Sequence, residues 1–145
     1  MLRLIAIVLS MTTSAAGAKE PNFGDFPVAV YVGKVANPIL DTPEKRQFRT
    51  RISKAAANGP NFAGHFALAA WGCGTSCLFS AVIDVKTGVV AFFPATVCCW
   101  PSDQKGILFK ADSSLVVFKG MLDEQEPSRD HPFEFKDGTF RPVGN

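Results

Sequence analysis

Tyrosine occurs once, histidine twice and methionine three times in 145 residues. With so little imidazole, any acid–base role for that group falls on His65 or His131. Charge of one sign is missing as well. Fifteen lysines and arginines oppose thirteen aspartates and glutamates, a net of +2, which is far from the dense basic surface of a nucleic-acid binder, so no nucleic-acid partner is expected. No apolar run approaches the roughly 20 residues of a membrane-crossing helix. There is no phosphate-cradling glycine loop, no His-Glu-x-x-His metalloprotease signature and no Gly-x-Ser-x-Gly elbow. The chain therefore calls for no cofactor and no metal.

What is abundant is the large apolar ring. Thirteen phenylalanines and two tryptophans, in a chain 47% hydrophobic and 19% charged, supply the core of one small domain. Residues 1–18 read separately, as a secretory signal: Arg3 precedes a short apolar stretch, and Ala16-Gly17-Ala18 offers the small residues of a cleavage site. Cleavage after Ala18 leaves residues 19–145 as a single exported domain without a stable membrane span. The first cysteine is Cys73, too far along for a lipid-anchored start.

Residues 28–35 alternate Val28, Val30 and Val32 with Ala29, Tyr31 and Gly33, the period of a strand. A helix is expected over residues 42–58. Thr42 caps it, Pro43 fills the first turn, Gly59-Pro60 closes it, and Phe48, Ile52, Ala55 and Ala56 form its apolar stripe. Strands are expected at residues 65–71, 78–85, 89–93, 106–110, 115–119, 133–135 and 139–141, joined by short turns such as Lys86-Thr87-Gly88 and Lys136-Asp137-Gly138. Short links make neighbours antiparallel. The expected fold class is α+β: an antiparallel β-meander with one amphipathic helix on a face, stabilised by disulfides. The acidic residues 121–130 read as a loop.

All four cysteines lie between Cys73 and Cys99. In an oxidising compartment an even count favours disulfides. Gly72 and Gly74 let the chain curl enough for Cys73 to meet Cys77. Cys98 and Cys99 leave three alternatives open: a bond to each other, long-range bonds back to Cys73 and Cys77, or two thiols. A Cys-x-x-x-Cys followed by an adjacent pair is not the two-knuckle spacing of structural zinc.

If Trp71 faces Leu78, the antiparallel register puts His65 opposite Asp84, and this pair is the weak candidate for acid–base chemistry. Cys73 is a poor nucleophile for it, eight residues or about 26 Å of extended chain away. The exposed tip offers Gly72, Gly74, Thr75 and Ser76, flanked by Trp71 and Trp100, as candidate binding residues.

The run Gly59-Pro60-Asn61-Phe62-Ala63-Gly64-His65-Phe66, continuing through Trp71-Gly72-Cys73-Gly74-Thr75-Ser76-Cys77, resembles a segment of small exported bacterial proteins of uncharacterised function. The resemblance covers some 20 residues well. It implies a Gram-negative periplasmic protein and implies no activity; Cys98 and Cys99 lie outside it. The expected function is a periplasmic or secreted non-enzymatic binding or inhibitory module with a periplasmic or envelope protein as partner. An envelope-acting hydrolase using His65 and Asp84, and a thiol/disulfide protein, are the alternatives.

Overall fold

Strand signals dominate the chain, and the computed structural model, which describes residues 21–144, is mostly antiparallel sheet. The expected signal segment lies outside the described residues. Eight strands form one sheet: β1 (Phe66–Gly74), β2 (Cys77–Asp84), β3 (Val90–Phe92), β4 (Val97–Cys98), β5 (Ile107–Phe109), β6 (Leu115–Leu122), β7 (Gln125–Lys136) and β8 (Thr139–Pro142). Its spatial order is β1-β2-β4-β6-β7-β8, with β3 also on β2 and β5 on β6. Chain neighbours are thus largely sheet neighbours, as short turns dictate.

The expected helix is present in two pieces, α1 (Pro43–Gln47) and α2 (Arg49–Ala57). Thr42 caps the first, its hydroxyl accepting the Lys45 amide at 3.2 Å. The chain leaves helical geometry at Phe48 (φ −99°, ψ 15°), and the Phe48 ring packs 4.9 Å from Trp71 and about 6 Å from Phe79 and Phe92. An uninterrupted apolar stripe does not reveal such a break, because it is tertiary packing that recruits the ring.

The expected strand over residues 28–35 is not a strand. This segment borders the sheet through single bonds, from the Val28 amide to the Asp112 carbonyl (3.0 Å), Tyr31 to Gly64 (2.9 Å) and Ala36 to Val85 (2.8 Å). Isolated contacts of this kind do not make a ladder, and Val32 is 95% exposed. Period two alone therefore does not secure a pairing partner. The acidic loop is corrected in the other direction. Residues 121–130 belong to β6, β7 and the two-residue turn between them, where Asp123 and Glu124 both take positive φ (51° and 60°). Such a turn matches the twist of the strands it joins, and the Asp123 carboxylate braces it by accepting the Thr96 amide at 2.7 Å. Asp-Glu lacks the glycine that normally announces this geometry.

The two faces of β1 and β2 serve different cores. Ala67, Trp71, Ala81 and Ile83 pack with Ile52 and Ala56 of α2, whereas Leu68 and Val82 join Phe62, Phe93, Phe118 and Phe135. Phe93 and Phe118 stack at 3.9 Å between centroids. Alternation along both strands produces this division.

Candidate functional site

The β1–β2 hairpin closes on Thr75 and Ser76, with Gly74 opposite Cys77 and Gly72 opposite Leu78. Cys73 is the extra residue between those pairs. A bulge of this sort bends the strand and re-aims a side chain, and here Cys73 and Cys77 come to disulfide distance with Cα atoms 5.1 Å apart. Gly74 accommodates the bend at φ 141°. Gly72, Gly74, Thr75 and Ser76 are exposed. Trp71 is not: at 4% exposure it sits between Phe48 and Phe92 and belongs to the core. That correction has a simple cause, since the largest apolar side chain of β1 gains most from burial.

β4 brings the second sulfur pair to the same end of the sheet. Cys77 lies opposite Cys98, and Cys98 opposite Met121 on β6. Cys98 and Cys99 are themselves at disulfide distance, their Cα atoms 3.8 Å apart, so of the three alternatives the structure holds the adjacent pair. Regular strand geometry would direct these neighbours to opposite faces. Cys99 instead turns away at φ 62°. Gly120 makes the turn fit: a Cβ there would run into the Cys98 carbonyl and the Trp100 amide. Cys98 is buried and Cys99 exposed. Trp100 lies over Gly106 and against the larger core and is half-buried.

His65 and Asp84 do meet, though not in the expected register. The bulge shifts the pairing by one, so that Trp71 faces Phe79 and Phe66 faces Asp84, while the His65 carbonyl accepts the Val85 amide at 2.9 Å. Asp84 becomes a diagonal neighbour, its Oδ2 3.8 Å from His65 Nε2. This distance is too long for a hydrogen bond. Asp84 Oδ1 is engaged elsewhere, accepting the Lys86 amide at 2.8 Å. Partial burial against Phe66, whose ring centroid is 4.1 Å away, lowers the His65 pKa below its ordinary value; Asp84 raises it by less, and Lys86 lowers it further. His131 has a structural partner, its Nε2 lying 3.0 Å from the Gly120 carbonyl oxygen.

His65 also lines a cleft of about 460 Å³ together with Asp25, Ser114, Glu134 and Asp137. Only the Lys136-Asp137-Gly138 turn beside it was visible as a local signal. The cleft forms because residues 21–29 are tied down at long range: Ser113 Oγ donates to the Phe23 carbonyl at 2.8 Å and the Ser114 amide to Phe26 at 3.0 Å. Among the described residues no hydroxyl or thiol hydrogen-bonds to the His65 ring, no group of three or more His, Cys, Asp or Glu side chains is arranged to hold a metal ion, and no helix is long and apolar enough to cross a membrane.

Comparison of the chain with protein-family models, with curated proteins and with solved structures gives no match. The site must be read from its own chemistry.

Proposed function

We propose that this chain is an exported, non-enzymatic binding or inhibitory module whose contact surface is the sulfur-braced end of the sheet: Gly74, Thr75 and Ser76, with Cys99 and the half-buried Trp100. The observation that carries this reading is the exposure of three consecutive small or polar residues between two cysteines at disulfide distance, at the tip of a two-stranded hairpin. A loop held in one shape before it meets its partner loses little conformational entropy on binding. β1 is the first strand in the sheet order, and Ala70 and Gly72 next to the tip are exposed, so an extended segment of a periplasmic or envelope protein has an edge on which to lie. The His65 cleft supports hydrolysis less well, because among the described residues no nucleophile is bonded to the ring and Asp84, at 3.8 Å, does not hydrogen-bond to it.

Affinity capture from a bacterial envelope fraction, with each hit reconstituted from purified components, tests the reading. A specific protein partner is expected whose affinity falls at least about tenfold for Thr75→Arg, a change that places a long cation on an exposed tip without touching the core. A partner that binds both chains equally, or none surviving purification, would remove the tip from consideration.

A further inference from the structure

Cys77 and Cys98 are direct partners in the β2–β4 ladder. Directly opposed residues of an antiparallel pair have Cα atoms about 4.5–5.5 Å apart and side chains on one face. That spacing lies within the roughly 4.4–6.8 Å that a disulfide bridges. The sulfur of Cys98 therefore has two partners in reach: Cys99, beside it in the chain, and Cys77, which is paired with Cys73. Access is unequal. Cys98 is 3% exposed, Cys73 and Cys77 are half-buried, and Cys99 is exposed. A thiolate arriving from solvent meets Cys99 first.

We propose that the four cysteines form a two-step thiol–disulfide exchange site whose substrate is an external dithiol. One substrate thiolate attacks Sγ of Cys99; a mixed disulfide forms, the Cys98–Cys99 bond breaks, and its electron pair leaves on Cys98. The Cys98 thiolate attacks Sγ of Cys77. A Cys77–Cys98 bond forms, the Cys73–Cys77 bond breaks, and Cys73 departs as a thiolate that takes a proton from water. The second substrate thiol, after losing its proton, attacks the substrate sulfur bound to Cys99, so the substrate leaves as a disulfide and Cys99 as a thiol. The dithiol has lost two electrons and two protons. The chain has gained them, passing from two disulfides to one disulfide and two thiols.

The order of the steps follows from access: Cys99 is exposed to the incoming thiolate, whereas Cys98 is buried and directly opposite Cys77. The site needs no protein partner; it shares Cys99 and the Cys73–Cys77 bridge with the contact surface proposed above, but its test reads sulfur connectivity and not binding.

The test is partial reduction of the purified chain with one equivalent of dithiothreitol, alkylation with N-ethylmaleimide and mapping of the non-reduced peptides. The main product is expected to carry label on Cys73 and Cys99, with Cys77 joined to Cys98. Label on Cys98 and Cys99 with Cys73–Cys77 intact, or on Cys73 and Cys77 with Cys98–Cys99 intact, would overturn the proposal. Cys99→Ser provides a second reading without any reductant. Its single remaining thiol is expected at Cys73, and alkylation at Cys98 instead would refute the exchange.

Discussion

His65 is held by opposed influences, Lys86 adding to the effect of burial, and their balance has a sign that can be measured. Partial burial favours the neutral ring, while Asp84 at 3.8 Å favours the cation by a smaller amount. The folded pKa therefore lies below that of the unfolded chain, about 6.5. Over the interval between the two values the unfolded state binds more protons. Stability contributed by neutral His65 is thus fully present above about pH 6.5 and is lost as the pH falls from there to the folded value. The urea midpoint of the wild type is expected to drop relative to that of His65→Gln between about pH 7.5 and pH 5; a gap that widens in favour of the wild type on acidification would mean that Asp84 dominates. Gly64, directly before His65, has an equally specific reason to be there. It sits at φ 82°, and a Cβ would come within 2.6 Å of the Ala29 carbonyl. The recognisable run around Gly64 and His65 was legible as a pattern, but its geometric purpose was not, because Ala29 is distant in sequence.

At the level of elements, Asn61 does the work of a short strand. Its side-chain oxygen accepts the Leu68 amide at 2.7 Å and its side-chain nitrogen donates to the Leu68 carbonyl at 3.1 Å. Both backbone groups of Leu68 on the outer side of β1 are thereby satisfied, which blunts an edge that would otherwise invite pairing. Asn61→Ala removes both bonds and leaves two backbone groups part-buried and unpaired, at a cost of about 1–3 kcal/mol. Urea denaturation and amide exchange are the measurements: the midpoint should fall, and Leu68 should exchange faster than its neighbours in β1. An unchanged Leu68 would show that another group covers the edge. Most of the strands were readable because alternation and turn residues act over a few positions. The break at Phe48 and the Asp123-Glu124 turn were not, since the first depends on the Trp71, Phe79 and Phe92 rings and the second on Thr96.

Across the whole molecule, the two cores and the sulfur-braced tip are separable. Fully buried side chains such as Ile52, Phe62, Ile83, Val116 and Phe118 come from strands, helix and the turn before β1. Cys73 and Cys77 are only half-buried at one end. Replacing both by alanine is expected to lower stability by about 2 kcal/mol, the loop-closure entropy of so short a ring, with the far-ultraviolet circular dichroism unchanged. A loss of cooperative unfolding in that variant would mean that the tip holds the domain together. The amino-acid order alone determined an aromatic-rich, antiparallel sheet protein with a capped helix and a Cys73–Cys77 curl, because each of those features arises from residues close together in the chain. Tertiary structure decided the rest: which edge residues 28–35 follow, the one-residue register shift that sets His65 diagonal to Asp84, and the meeting of Cys77 with Cys98. These depend on how distant segments share one sheet, and a register is chosen by the burial of entire faces rather than by any local signal.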